Sequence, residues 1–231
     1  MKYHNVIAMD GPAASGKSTI GRMLADKLNY LFLDTGCMYR AVTLAVLENG
    51  VDVADETAVT QLAIQLDLDI QPANEEEDGR HYSVFINGQD VTWDIRRPDV
   101  DATVSQISSH LAVRQEMVRR QREFGQRGNV VMVGRDIGTV VMPDAPLKLY
   151  ITASAEERAR RRWLDREKQG HADGFAETLT DVERRDQIDS NRKHSPLRPA
   201  ADAIIIDTTN RSPETIIAEI LQLAIESSVS S

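Results

Sequence analysis

The chain has 231 residues, of which 41% are hydrophobic and 27% charged, and its 27 basic and 36 acidic side chains give a formal net charge of −9. This length suits one α/β domain of ordinary size with an inserted subdomain, and the composition excludes an intrinsically disordered chain. No apolar run approaches the roughly 18–20 residues of a membrane-spanning helix, and we expect no signal peptide because residues 5–9 already have the pattern of a strand. Cys37 is the only cysteine, which excludes an internal disulfide framework and favours a reducing cytoplasm. The five histidines are scattered without metal-ligand spacing, so we expect no zinc site.

Acidic side chains are concentrated in residues 41–79, which contain no lysine or arginine. Its ten acids are Glu48, Asp52, Asp55, Glu56, Asp67, Asp69, Glu75, Glu76, Glu77 and Asp78. A nucleic-acid-binding surface usually carries a basic excess, so we expect no nucleic-acid partner and interpret this stretch as a solvated face. A small anionic ligand is still compatible with the chain if local arginines surround it.

Short apolar runs alternate along the chain with segments that have apolar residues at helical spacing. The runs predict five strands, at 6–9, 31–33, 130–133, 147–151 and 203–206. The helical spacing predicts helices at 18–28, 38–47, 57–66, 113–124 and about 213–225, with 227–231 frayed. Because the strands are short and mostly apolar, we expect an α/β fold in which a five-stranded parallel sheet is buried on both faces.

One segment interrupts this α/β alternation. Tyr82, Val84 and Ile86 alternate with other residues and precede Asn87-Gly88, which is the strongest short-range signal for a β-hairpin. We therefore interpret roughly residues 69–97 as an insert within the α/β domain.

Residues 11–18, with the sequence GPAASGKS, match the phosphate-binding pattern G-x-x-x-x-G-K-[ST] and lie between a predicted strand and a predicted helix. The loop N–H groups and the helix N-terminus would bind phosphate oxygens, Lys17 would reach the β- and γ-phosphates, and the Ser18 hydroxyl would ligate Mg²⁺. The predicted ATP-binding residues are Gly11, Pro12, Ala13, Ala14, Ser15, Gly16, Lys17, Ser18 and Thr19. A glycine-rich turn with a chance lysine is the alternative, which the complete motif in this context disfavours.

A phosphate loop indicates a nucleotide but does not identify the reaction. A GTPase-like switch would need a D-x-x-G element and an [NT]-K-x-D guanine-binding element, and the sequence contains neither. None of the predicted strands ends in the acidic pair expected of a motor or transport ATPase. A P-loop kinase for a small acceptor is the remaining class.

Four further segments follow the loop in an order that resembles the bacterial cytidylate kinases. They are DTGCMYR at 34–40, SQI at 105–107, VGRDIGTVV at 133–141 and RRDQIDSNR at 184–192. The likeness extends over almost the whole chain and includes the insert that distinguishes this family from adenylate-type kinases. The GRDIGT segment together with the phosphate loop is its most specific part.

The resemblance implies a role for each matching acceptor-site residue. Arg40 and Arg135 would bind the acceptor phosphate and act in catalysis. The other implied acceptor-site residues are Ser105, Arg114, Asp136 and Arg192 for the cytosine, Arg185 and Asp189 for the sugar, and Thr35 and Tyr39 beside them. The positions of Arg40 and Arg135 agree with a phosphate-binding role, because both follow predicted strands and open α/β sheets bind ligands at strand ends. Guanidinium groups also suit phosphate oxygens. A surface salt bridge is the alternative for either arginine.

The implied fold is a three-layer P-loop domain over 1–231, with an acceptor-binding region at 37–110 and a small lid at 155–192. The lid carries five arginines, Arg158, Arg160, Arg161, Arg162 and Arg166. A lid closing over ATP would use some of them to neutralise the transferring phosphoryl group, and we select Arg158 and Arg162, which are one helical turn apart. A basic helix paired with neighbouring acids would explain one or two of the five.

Three positions depart from the family pattern. Val133 stands where many members have an acid, so Mg²⁺ would depend on Ser18, the phosphates and either Asp10 or Asp34. Cys37 replaces a usual alanine, and we expect it to be a packing residue. Ser18 replaces the glycine of some relatives, which favours its role as a metal ligand.

These observations predict a monomeric cytoplasmic enzyme that transfers the γ-phosphoryl group of ATP to CMP or dCMP with Mg²⁺. A kinase for another nucleoside monophosphate, such as UMP, is the nearest alternative. A nucleotide-binding regulator with weak catalysis is the alternative from a different class, and only Val133 favours it.

Overall fold

The computed structural model describes residues 6–72, 78–80, 82–168 and 174–229. Its strands are β1 (Val6–Asp10), β2 (Leu31–Asp34), β3 (Leu68–Pro72), β4 (Tyr82–Ile86), β5 (Gln89–Asp90), β6 (Val130–Gly134), β7 (Leu147–Thr152) and β8 (Ile204–Asp207). Its α-helices are α1 (Lys17–Leu28), α2 (Gly36–Glu48), α3 (Glu56–Gln65), α4 (Pro98–Ile107), α5 (Leu111–Gln126), α6 (Ala155–Lys168), α7 (Phe175–Ser190) and α8 (Pro213–Val229). A short 3₁₀ helix covers Asp94–Arg96, and a π-helical turn covers Ile137–Val141.

Five strands form a parallel sheet in the spatial order β2-β6-β1-β7-β8, which confirms the predicted α/β class. In the central strand, Asp10 is in register with Gly134 of β6 and with Tyr150 of β7. The carboxyl ends of these three strands therefore lie side by side. That edge is where an open α/β sheet binds its ligands.

The chain divides into two compact units, Asp34–Gln126 and the remainder, which joins Met1–Leu33 to Arg127–Ser231. The larger unit contains the parallel sheet, and its core combines apolar residues of β1, β6, β7 and β8 with those of α1 and α8. Residues 137–141 and helices α6 and α7 belong to the same unit. Helices α6 and α7 pack against each other.

The smaller unit contains the three-stranded antiparallel sheet β3-β4-β5 and helices α2 to α5, around a core of its own. Asn87 and Gly88 have φ angles of 51° and 78°, the left-handed values that a tight hairpin requires, so the predicted hairpin is confirmed. The acids of residues 41–79 that the structure describes are all exposed, as predicted for a solvated face, and Glu75, Glu76 and Glu77 lie outside the described residues.

Three parts of the sequence-based prediction differ from the structure. Helix α4 was not predicted, although Pro98 opens it and Val100, Val104 and Ile107 are buried at helical spacing. Helix α7 was also not predicted, because its buried face mixes Val182 with polar residues. Helix α8 continues to Val229, so the predicted fraying of 227–229 is wrong, and 230–231 lie outside the described residues.

Candidate active site

The phosphate loop leaves β1 at Asp10 and enters α1 at Lys17. Gly11 has φ +151°, and a Cβ atom there would lie 2.0 Å from the carbonyl oxygen of Ile151 in β7, so only glycine fits. Gly16 caps α1 with φ 86°, and Ala14 also has a positive φ of 57°. The Ser15 Oγ atom is buried and has no hydrogen-bond partner in the described part of the chain. The loop thus leaves polar groups available, as an anion-binding turn requires.

Lys17, Ser18 and Thr19 form the first turn of α1. The Lys17 side chain is buried (6% exposed), and its Nζ atom donates a hydrogen bond to the Pro12 carbonyl at 2.9 Å across the loop. Ser18 is half-buried and Thr19 is exposed. The lysine is therefore folded back over the phosphate loop.

Arg161 of α6 lies against the phosphate loop, which the sequence analysis did not foresee. Its Nη1 atom donates to the Ser15 carbonyl at 3.4 Å and to the Thr208 Oγ1 atom at 3.0 Å. Its Nη2 atom donates to the Thr208 carbonyl at 2.7 Å, and the Thr208 hydroxyl donates to the Ser15 carbonyl at 3.0 Å. Thr208 directly follows β8, at the carboxyl edge of the sheet. This position after a strand is the sequence signal that could have identified Thr208 as a residue beside the phosphate loop.

Acids pair with most of the predicted lid arginines, including Arg161, whose Nε atom lies 2.8 Å from Glu157 Oε1. Arg158 is buried and makes a bidentate ion pair with Asp186 of α7, with nitrogen–oxygen distances of 2.9 and 2.6 Å. Arg162 lies 3.5 Å from Asp181, also on α7, and Arg160 pairs with Glu157 on its own helix. Arg166 lies in the last turn of α6. Ion pairs thus join α6 to α7, and Arg158 also donates a hydrogen bond to the Ala13 carbonyl of the phosphate loop at 3.4 Å.

Asp136 is a buried acid that lies two residues after the end of β6, at the same edge of the sheet as the phosphate loop. It is 5% exposed, and its carbonyl oxygen accepts hydrogen bonds from the N–H groups of Val140 and Val141. The next two N–H groups, of Ile137 and Gly138, donate to Asp10 Oδ1 at 2.7 Å and Asp10 Oδ2 at 2.8 Å. Burial raises the pKa of Asp10 to about 6, and the charge of Asp136 adds to this rise.

Asp189 of α7 is the centre of an arginine cluster. It is 5% exposed, its Oδ2 atom accepts from Arg135 Nε at 2.9 Å, and its Oδ1 atom is paired with Arg192. Arg185 lies one helical turn before Asp189 and is also buried. The structure therefore brings together three residues to which the resemblance assigns three different parts of the acceptor nucleotide.

The remaining predicted residues lie in the 34–126 unit. Arg40 of α2 donates from Nη2 to Asp101 Oδ1 at 2.5 Å and from Nη1 to the Ile95 carbonyl at 3.2 Å. Arg114 of α5 is buried, donates to the Ser108 carbonyl, and places its guanidinium carbon 5.6 Å from the centre of the Tyr39 ring.

Three further residues of this unit are buried: Thr35 before α2, Ser105 in α4 and Cys37 in α2. Cys37 lies in the apolar core of this unit, as expected of a packing residue, and burial holds the pKa of its thiol well above its usual range. The acceptor-site roles of Thr35 and Ser105 stay predictions.

The residues available to Mg²⁺ are few. No group of three or more His, Cys, Asp or Glu side chains within the described ranges has the arrangement of a metal site. Asp10 uses both oxygens on backbone N–H groups, and Asp34 Oδ1 accepts from the Gly36 N–H at 3.0 Å. Val133 is fully buried and packs against α1 near Gly21. The residues present therefore fit a metal held mainly by nucleotide phosphates and the Ser18 hydroxyl.

A family model described as Cytidylate kinase matches residues 7–226. The chain belongs to the cytidylate kinase family. It is 49% identical over 221 residues to a cytidylate kinase of Roseiflexus castenholzii, covering 96% of this chain and 94% of the relative. It is 46% identical over 218 residues to a cytidylate kinase of Limosilactobacillus reuteri, covering 94% and 93% of the two chains.

Among solved structures, the chain is similar to a protein of Eubacterium ventriosum, with a TM-score of 0.50 and 12% sequence identity. The match covers 95% of this chain and 97% of that protein. That likeness concerns the fold alone. Membership of the cytidylate kinase family makes the chain a phosphotransferase. No helix in the described ranges has both the length and the apolar character needed to cross a bilayer.

Proposed function

We propose that the chain transfers the γ-phosphoryl group of ATP to CMP or dCMP, giving ADP and CDP or dCDP. The observation that carries the proposal is a complete phosphate loop at the same sheet edge as the buried Asp136, in a chain whose relatives are named cytidylate kinases. In the reaction an oxygen of the acceptor phosphate bonds to the γ-phosphorus of ATP, and the bond from that phosphorus to the β–γ bridging oxygen breaks.

On the donor side, residues 11–19 would hold the ATP phosphates. The Lys17 ammonium group would leave the Pro12 carbonyl for phosphate oxygens, and the Ser15 Oγ atom would gain the partner that it lacks in the described chain. Mg²⁺ held by Ser18 and the phosphates would neutralise developing negative charge. Arg158, Arg161 and Arg162 are proposed to add positive charge from the 155–192 segment, which we propose to be a lid.

On the acceptor side, Arg40 and Arg135 are each proposed to bind the phosphate. A guanidinium group suits this role because it can donate two parallel N–H groups to phosphate oxygens. An acceptor phosphate is already ionised at neutral pH, so no general base is required. The protein's contribution is therefore positioning and charge stabilisation.

The remaining acceptor residues are proposed to recognise the nucleoside. Asp136 would accept a hydrogen bond from the cytosine amino group, and Arg114 or Arg192 would donate to N3 or O2. Ser105 is the fourth candidate for binding the base. Arg185 and Asp189 are proposed to contact the sugar. Thr35 and Tyr39 are proposed to lie beside them. Tyr39, Arg40 and Ser105 lie within residues 37–110, which we propose to be an acceptor-binding region.

The nearest alternative, a UMP kinase, fits this arrangement poorly. Uracil presents an O4 acceptor where cytosine presents an amino donor, and it presents an N3–H donor where cytosine has a bare acceptor. A carboxylate would then face O4 and a guanidinium would face N3–H, and both contacts would be mispaired.

A coupled ADP-release assay with CMP, dCMP, UMP, AMP and dTMP as separate acceptors tests the proposal. CMP and dCMP should support the highest kcat/KM, with ATP as donor and a requirement for Mg²⁺. Equal use of UMP would favour the broader kinase, and no ADP release with any acceptor would favour the weakly catalytic regulator.

We also propose that the enzyme is a cytoplasmic monomer that does not bind nucleic acid. The single cysteine supports the cytoplasm, and the net charge of −9 and the exposed acids of residues 41–79 support the absence of a nucleic-acid partner. Size-exclusion chromatography with light scattering at several protein concentrations tests the monomer, for which a single mass near 25.7 kDa is expected.

A further inference from the structure

The side chain of Asp10 links two distant parts of the sequence inside the larger unit. It is 3% exposed and stands at the end of β1, next to the phosphate loop. Its two carboxylate oxygens accept one backbone N–H each, from Ile137 at 2.7 Å and from Gly138 at 2.8 Å, residues that lie 127 and 128 positions later in the chain. Two hydrogen bonds to an ionised acceptor fix the position of a backbone segment strongly.

The segment that Asp10 holds begins directly after Asp136. Ile137 and Gly138 open a π-helical turn, and the first N–H groups of a helical turn have no partner within it. Asp10 supplies those partners. The carbonyl of Asp136 accepts from Val140 and Val141, so the backbone that follows Asp136 is fixed both by Asp10 and by the turn itself.

Gly138 has the shape that this contact needs. A Cβ atom there would touch Asp10 Oδ2 at 3.4 Å and would crowd the Cδ atom of Lys148 at 3.2 Å, so the space beside the carboxylate is already filled. The absence of a side chain lets the loop approach the carboxylate closely.

We infer that Asp10 is a positioning residue for base recognition, whose carboxylate holds the backbone that presents the Asp136 side chain to the acceptor base. This inference rests on the proposed function, in which Asp136 accepts from the cytosine amino group. Asp10 does not touch the nucleotide. It determines where Asp136 stands, and so it affects the choice between cytosine and uracil.

An asparagine at position 10 has nearly the same shape as aspartate but offers one oxygen and one amino group. One of the two N–H groups of Ile137 and Gly138 would then face a donor, and the segment would shift to relieve the contact. A buried donor left without its acceptor corresponds to an effect of about 10-fold to 100-fold. Asp10→Asn should therefore lower kcat/KM for CMP by about 10-fold to 100-fold, mainly through a higher KM for CMP.

The decisive readout is the ratio of kcat/KM for CMP to that for UMP. We expect this ratio to fall by about tenfold or more in Asp10→Asn, because a misplaced Asp136 loses its preference for the amino group. The affinity for ATP, measured without acceptor, should stay within about threefold of the wild type, since both Asp10 carboxylate oxygens are bonded to Ile137 and Gly138, outside residues 11–19.

Ile220→Val is the matched control for a general loss of stability. Ile220 is fully buried in the core of the same unit and is not part of the proposed site. It should lower the urea midpoint and leave the CMP/UMP ratio unchanged. Where Asp10→Asn does not fold, Gly138→Ala replaces it. Its added Cβ keeps the carboxylate but crowds Lys148 Cδ at 3.2 Å beside the Asp10 contact, and relief of that crowding should shift the held segment and lower the ratio in the same direction.

The possible failures are distinguishable. A wild type without preference for CMP contradicts the proposed function itself. A selective wild type with an unchanged CMP/UMP ratio in Asp10→Asn, or in Gly138→Ala where the first does not fold, overturns the role of Asp10. A fall in the ratio that Ile220→Val reproduces also overturns it, because the effect would then be one of stability.

Discussion

Gly11→Ala tests the geometry of the phosphate loop. The added Cβ atom would lie 2.0 Å from the Ile151 carbonyl oxygen and 3.0 Å from its carbon, and φ at this residue is +151°. The backbone strain contributes about 1–3 kcal/mol, and the forced shift of the loop away from β7 about 1–3 kcal/mol more. We therefore expect the free energy of unfolding to fall by about 4 kcal/mol. At about 2–4 °C per kcal/mol, this corresponds to a decrease in Tm of roughly 8–16 °C.

Gly50→Ala is the matched control for this experiment. Gly50 also has a positive φ, +62°, but nothing lies within 4 Å of an added Cβ atom, so only backbone strain of about 1–2 kcal/mol is expected. Urea unfolding of both variants, followed by tryptophan fluorescence, gives the two losses, and titration with a fluorescent ATP analogue gives donor affinity. Gly11→Ala should lose more stability than Gly50→Ala and should also lose donor affinity. Equal losses in the two variants would refute the close approach to Ile151.

Three more outcomes are expected. Lys17→Ala should fold normally and lose several orders of magnitude in kcat. A variant that retains more than about a tenth of the wild-type kcat would contradict a phosphate-binding role for Lys17. Hydrogen exchange within 155–192 should slow when an ATP–CMP bisubstrate analogue binds, and equal rates would count against a lid. The pKa of Asp10 is raised from 3.8 to about 6. The unfolded state therefore loses its Asp10 proton before the folded state does as the pH rises. The free energy of unfolding of the wild type, minus that of Asp10→Asn, should fall by roughly 2–3 kcal/mol from pH 4 to pH 7. A difference that stays constant in urea titrations would contradict the raised pKa.

Local pattern was sufficient for most of the fold. The apolar run in β1, the glycines of the loop and the helical spacing in α1 act on near neighbours, and Asn87-Gly88 sets its own turn. Helix α7 escaped prediction because its buried face includes the charged residues Arg185 and Asp189, of which Asp189 is paired with Arg135. A hydrophobic pattern does not detect such a face.

The candidate site was predictable as a set of residue types and less so as a set of contacts. The motif order predicted Arg135, Asp136, Asp189 and Arg192. It did not show that Asp189 joins two arginines, because that contact depends on how α7 packs. For the same reason the choice among the lid arginines included Arg162 and omitted Arg161, which contacts the loop through Ser15.

The comparison of CMP with UMP in the wild type and in Asp136→Ala tests the central claim most directly. Two mispaired buried contacts, each costing about 1–3 kcal/mol, predict a wild-type preference for CMP of roughly 10²–10⁴ in kcat/KM. Asp136→Ala should lower kcat/KM for CMP and shrink this preference at the same time. A wild type that uses UMP as well as CMP, or a preference that survives unchanged in Asp136→Ala, would contradict the assignment of Asp136 as the residue that recognises cytosine.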